Sequence, residues 1–166
     1  MKRYVISVLV ENHSGVLSRV SGLFSRRGYN IDSLTVGVTD KSDFSRMTIV
    51  VRGDEYILEQ IEKQLAKLVE VVSIKHCDPQ ATVVRELALI KVSTDENTRH
   101  RVIEAANIFR ARVVDIGVDA LVIEATGSEE KIAALIRLVE PFGIKELVRT
   151  GLTAMERGNT VLEAAQ

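Results

Sequence analysis

The chain has no tryptophan, one cysteine and two prolines among its 166 residues, and aromatic residues make up only 4% of it. With Cys77 alone, no intrachain disulfide forms and no thiolate cluster can hold a metal, so a reducing cytoplasm is the expected compartment. Cys77 itself is expected as a small, half-buried residue at a strand end. His13, His76 and His100 lack the short spacings of a tight transition-metal site. The glycine patterns that cradle phosphates, Gly-x-Gly-x-x-Gly and Gly-x-x-x-x-Gly-Lys, are both missing. Nor is there an excess of either charge: 22 basic and 23 acidic residues give a net charge of −1. Such a balance excludes the basic footprint of a nucleic-acid or membrane-surface binder, and Arg26-Arg27 is too short a basic run to restore it. No apolar run is long enough to span a bilayer, and neither a signal peptide nor a membrane span is expected ahead of the first strand.

What is present is a largely aliphatic core, with 46% apolar residues, arranged in two alternating series. In the first, residues 4–10 read as a strand that is apolar on both faces. Residues 15–27 read as a helix with Val16, Leu17, Val20, Leu23 and Phe24 on one stripe and Gly28 as its stop. Residues 30–38 and 45–52 are strands around a polar turn, Ile57 to Leu68 recur at helical spacing, and residues 69–76 form a fourth strand. The second series repeats the order with strands 85–92, 112–116, 120–125 and 144–149 and helices 98–109 and 128–139. The fold class is therefore α+β: two ferredoxin-like βαββαβ domains in tandem, spanning 1–78 and 84–166, with 79–83 as linker. Past Gly151 the pattern fades, and a loosely ordered tail is expected. Helices cover one sheet face in each unit. The other face of the first sheet is apolar enough to require a cover: a second copy, a neighbouring domain or a partner.

Candidate chemistry concentrates in residues 11–17, Glu-Asn-His-Ser-Gly-Val-Leu, where the first strand gives way to the first helix. On its residues alone this turn has two readings. One is an ordinary βα loop with Gly15 at the helix start and Asn12 or Ser14 capping it. The other is an anion site, because a helix N-terminus presents unsatisfied N–H groups and partial positive charge. In that case the N–H groups of residues 14–16 take a carboxylate and the Asn12 side-chain oxygen accepts from an ammonium. Asn30, brought in by edge-to-edge pairing of two chains, supplies a second amide, and Val16, Leu17 and Ile31 supply a short apolar pocket. His13 lacks a nucleophile or proton donor to act on and is expected as a loop residue. The corresponding turn of the second series, residues 93–97, has no glycine and is not expected to bind in the same way. Residues 11–15 also contain no arginine, which sets aside an acylphosphatase-like hydrolase.

Residues 11–20, then 23–36 with Arg27-Gly28-Tyr29-Asn30-Ile31-Asp32-Ser33-Leu34-Thr35-Val36, then Ser45-Arg46-Met47-Thr48-Ile49, closely resemble the small regulatory subunit of acetolactate synthase, whose N-terminal part is an ACT domain. The resemblance extends over essentially the whole chain. It implies a protein without catalytic residues that activates a separate catalytic subunit and binds valine between two ACT domains as a feedback inhibitor. Matching effector positions are Asn12, Ser14, Gly15, Val16, Leu17, Asn30 and Ile31. It further implies a homodimer, no cofactor in this chain, and thiamine diphosphate, Mg and FAD on the large catalytic subunit alone, with the second domain contacting that subunit. The alternative is a free-standing ACT protein that binds an amino acid and controls transcription or another enzyme.

Overall fold

The computed structural model describes residues 2–163. It divides into two units: the first comprises the chain up to Val83 together with Leu152 onward, and the second comprises Val84–Gly151.

The first unit runs β1 (Lys2–Glu11), α1 (Val16–Arg27), β2 (Ile31–Val38), β3 (Phe44–Gly53), α2 (Glu55–Leu65) and β4 (Val71–His76). Its sheet has the order β2-β3-β1-β4 with antiparallel neighbours, so β2 and β4 are the edges. Alternation decides which side chains go inward. Tyr4, Ile6, Val8 and Val10 of β1 and Met47, Ile49 and Val51 of β3 face the helices, where they meet Val16, Val20, Leu23 and Phe24 of α1 and Leu58, Ile61 and Leu65 of α2. At about 25 cal/mol per Å² of apolar surface, such burial is the main stabilising term. Helix α1 ends at Gly28, whose φ of +69° is the left-handed cap conformation that glycine adopts without strain. Helix α2 begins at Asp54, whose side chain accepts from the Ile57 N–H. It stops at Leu65, earlier than the apolar spacing through Leu68 predicts. Residues 68–70 turn tightly instead, with the Val71 N–H on the Leu68 carbonyl, and β4 starts two residues late.

The second unit repeats the series: β5 (Thr82–Ser93), α3 (Arg99–Ile108), β6 (Arg112–Ile116), β7 (Ala120–Gly127), α4 (Glu129–Val139) and β8 (Ile144–Arg149). The sheet order β6-β7-β5-β8 matches that of the first unit position by position. Its core joins Ala88, Ile90, Val92, Leu121 and Ile123 to Val102, Ile132, Leu135 and Val139. Ser128 caps α4 by accepting from the Lys131 N–H. The βαββαβ expectation holds for both units. The linker does not hold as drawn: β5 begins at Thr82, inside 79–83, because the chain there is paired and Thr82 is buried.

The largest departure is the tail. Residues 152–163 cluster with the first unit, not with residues 84–151. Leu152 and Ala154 are buried, and Thr153–Glu156 forms β9, which pairs with β5. The Leu152 N–H donates to Ser33 Oγ at 3.0 Å, Arg46 donates to the Ala154 carbonyl at 2.8 Å, and Lys75 pairs with Glu156 at 2.5 Å. The tail thus supplies part of the cover that the first sheet's second face needs. That face is also more polar than its strand composition suggests, since Ser7 and Thr48 are buried on it. Cys77 is buried rather than half-buried, with Sγ 3.3 Å from Ser7 Oγ.

Candidate functional site

Helix α1 begins at Gly15, and the way it begins separates it from the other helices. Gly15 has φ +89°, a left-handed conformation that lets the chain leave β1 and enter the helix within four residues. No side chain caps this helix, and no acidic residue lies in its first turn. Neither Asn12 nor Ser14 caps it, so that expectation fails. Asn12 is turned toward the β2–β3 loop: its Nδ2 donates to the Ser42 carbonyl at 2.8 Å, and its Oδ1 accepts from Ser45 Oγ at 3.0 Å. The first N–H groups of α1 accordingly have no side-chain cap, beside exposed Ser14, the arrangement that favours an anion.

The equivalent turn of the second unit shows the contrast. Asp95 Oδ1 accepts from the Asn97 N–H at 2.8 Å, the Thr98 N–H at 2.7 Å and Thr98 Oγ1 at 2.9 Å. Those bonds, the Thr98 backbone N–H first, hold the Asp95 carboxyl below its ordinary 3.8. The start of α3 thus carries its own anion. Because the folded value is depressed, Asp95 contributes stability that is present above about pH 3.8 and lost as pH falls through the folded value. Asp95→Asn is expected to lower the melting temperature at pH 7 and to flatten its fall between about pH 4 and 2; calorimetry across that range checks it.

His13 stands over the open turn. Its Nδ1 lies 3.1 Å from the Ser14 carbonyl and its Nε2 3.0 Å from Glu11 Oε2. The Ser14 carbonyl first, then the Glu11 carboxylate, favour the protonated ring and raise its pKa above 6.5. The raised value means that the contribution of His13 is full below pH 6.5 and disappears as pH rises through the folded value. NMR titration of the His13 ring should give a midpoint above 6.5, and Glu11→Gln should bring it down. The imidazolium adds positive charge beside the helix start and has no nucleophile to activate.

Asn30 and Ile31 are not beside the turn within one chain. Glu11, next to Asn12, pairs with Phe44, whereas Ile31, next to Asn30, pairs with Val51. Seven residues of β3 separate the two levels, about 23 Å along the strand at 3.3 Å per residue. Asn12 and Asn30 therefore sit at opposite ends of one sheet. Asn30 is held by Asp32, whose Oδ1 accepts from Asn30 Nδ2 at 3.0 Å. Asp32 in turn meets Arg52 at 2.6 Å and Arg3 at 3.5 Å, and Arg52 above all lowers its pKa. The Asn30 carbonyl oxygen keeps no donor among the described residues. Of the apolar candidates, Val16 is buried in the core, Ile31 is half-buried and Leu17 is 46% exposed.

The sequence left two supports unread. Asp32 follows Asn30 at strand period, which is a usable signal. Ser45 reaches Asn12 only through the hairpin register, which no local pattern displays. A cavity of about 640 Å³ in the first unit lies on the opposite sheet face under the tail and is lined by none of the seven candidate residues. Among the described residues no group of three His, Cys, Asp or Glu side chains is placed to hold a metal. None of the helices described is long and apolar enough to cross a membrane.

Comparison with known proteins gives a consistent result. Residues 6–73 match the AHAS small subunit-like ACT domain family, and residues 85–158 match the family described as the small subunit of acetolactate synthase. The acetolactate synthase small subunit of Mycolicibacterium smegmatis is 53% identical over 98% of this chain and 96% of its own length. The probable acetolactate synthase small subunit of Archaeoglobus fulgidus is likewise 53% identical, over 95% of this chain and 98% of its own. The crystal structure of the small subunit from Thermotoga maritima superposes with a TM-score of 0.90 at 42% identity, over 96% of this chain and 100% of that one.

Proposed function

The chain belongs to the acetolactate synthase small-subunit family, and from that premise we propose that it activates the thiamine-diphosphate-dependent catalytic subunit and makes it sensitive to valine. In this reading it performs no chemistry and carries no cofactor; thiamine diphosphate, Mg and FAD belong to the catalytic partner. It works in the cytoplasm as a homodimer.

The observation that carries the proposal is the start of α1, entered through a left-handed Gly15, uncapped by any side chain and free of acidic residues, while Asp54 and Ser128 cap α2 and α4 and Asp95 holds the turn that leads into α3. A valine carboxylate fits there, on the N–H groups that follow Gly15. Asn12 Nδ2 keeps a second N–H for that carboxylate, while Oδ1 is taken by Ser45 and is not left for the ammonium. The ammonium falls to the Asn30 carbonyl oxygen of a second chain. Strand order supports this division. β2 is a sheet edge, and pairing it antiparallel with its copy across a two-fold axis reverses the second strand. The second chain's Asn30 end then comes to the first chain's β2–β3 loop, the loop that anchors Asn12.

Coupling follows from differential affinity. Valine bridges two protomers, favours the dimer arrangement in which both halves of the pocket meet, and shifts how the dimer engages the enzyme. Reconstitution with the catalytic subunit tests the proposal: the subunit should raise acetolactate formation, and valine should lower it. A chain that neither co-purifies with the large subunit nor alters its rate refutes it.

A further inference from the structure

We propose that the second unit carries a small-ligand site of its own, a zwitterion site for an α-amino acid, in the cavity beside the start of α3. The cavity measures about 420 Å³ and lies wholly within residues 84–151, where nothing in the proposed function assigns a ligand.

Three of its wall residues have unused capacity. Thr94 is 6% exposed, and its hydroxyl oxygen is buried without a hydrogen-bond partner among the described residues. A buried hydroxyl left unsatisfied is destabilising, and a ligand that bonds it offsets that cost. Arg101 is stacked over the Phe142 ring at 5.1 Å and has no carboxylate partner among the described residues. The stack orients its planar fork, the geometry that grips a carboxylate through two parallel bonds. Asp95 spends Oδ1 on the helix start, while its Oδ2 accepts from no donor among the described residues.

Charge selects the ligand class. The lining holds two carboxylates, Asp95 and Asp119, and two cations, Arg101 and Lys145, with Lys145 and Asp119 already paired at 3.0 Å. The two groups left over are one guanidinium and one carboxylate oxygen. A simple anion on Arg101 would face the unused side of Asp95, and a simple amine on Asp95 would face Arg101. A molecule with both charges on one short frame meets both. An α-amino acid has that frame: its carboxylate goes to Arg101, its ammonium to Asp95, and Thr94 bonds to whichever pole lies nearer. This is a different solution from the first unit, where backbone N–H groups replace the arginine.

The test is an NMR titration of the full chain, following backbone amides at Thr94, Asp95 and Lys145 separately from those at Gly15 and Val16. Probes are L-alanine, L-threonine and L-valine, with isobutyrate and isobutylamine as the two single-charge halves. At least one amino acid should shift the second-unit amides saturably, and neither half should. Arg101→Gln should weaken that binding about tenfold or more, the loss expected for a charge-assisted pair. Thr94→Val, which keeps the side chain's shape and therefore the fold, should also weaken it. Both variants should leave the shifts at Gly15 and Val16 as they were, so loss of one site is read independently of the other. Absence of saturable shifts with all three amino acids, equal binding of either half, or unchanged affinity in Arg101→Gln overturns the proposal.

Discussion

A Gly15→Asp subunit reconstituted with the catalytic subunit should activate it nearly as well as the parent and lose its response to valine, with the inhibitory concentration rising about 100-fold or more. The magnitude follows from placing a fixed carboxylate where the ligand's carboxylate must lie, since like charges in contact cost several kcal/mol and each 1.4 kcal/mol is a factor of ten. Space is not the obstacle, because a Cβ at Gly15 meets nothing within 4 Å. Backbone strain is a smaller term: a left-handed non-glycine residue costs about 1–2 kcal/mol, and aspartate tolerates that region better than most. Gly15→Ala controls for it, carrying the strain without the charge, and should keep most of the valine response. Asn30→Ala should lose the response through the other half of the pocket. Mixing the two defective subunits then distinguishes a shared pocket from one built in a single chain. In a mixed dimer of Gly15→Asp and Asn30→Ala, one pocket takes both defects and the other takes none, so valine inhibition should partly return. If the mixture stays insensitive, the pocket is not shared in the way β2 pairing requires.

The second large effect concerns the tail. Leu152→Ala should destabilise the protein by about 2–3 kcal/mol, the lower part of the range for buried Leu→Ala changes. Where the loss appears is more informative than its size. Hydrogen exchange should accelerate in β1 and β3, at the N-terminal side of the chain, while β7 and α4 keep their protection. The reason is that Leu152 and Ala154 are buried and belong to the first unit, and that Arg46 of β3 spends a donor on the Ala154 carbonyl. If the exchange instead rises in β7 and α4, the tail belongs energetically to the second unit.

Most of the helix and strand pattern was legible because it is periodic. Val16, Leu17, Val20, Leu23 and Phe24 predict one stripe, and all but the exposed Leu17 are buried. The alternation of Met47, Ile49 and Val51 likewise holds. Three features escaped because they are set by distant partners. β9 has four residues, too few to establish a period of two, and its partners lie far back in the chain. The early start of β5 depends on that same pairing. Asn12 was given a capping role from its place in the sequence, yet Ser42 and Ser45, some thirty residues on, decide where its amide points. The seven candidate residues were each placed on the expected turn or strand end. What no string displays is that they divide between two ends of a sheet.

The discontinuity of the first unit has a bearing on synthesis. Residues 84–151 are interposed between the bulk of that unit and the strap that finishes it. A ribosome releases β1 to β4 early, but the sheet face that receives Leu152 and Ala154 waits until the whole of residues 84–151 has emerged. Closing so long a loop adds little to the final free energy, since its cost grows only with the logarithm of length, but it fixes an order of events. The second unit can acquire its fold during translation before Leu152 and Ala154, which complete the first unit's sheet face, have emerged. A chain cut short between residues 84 and 151 is therefore left with an unfinished first unit, whatever the state of its second.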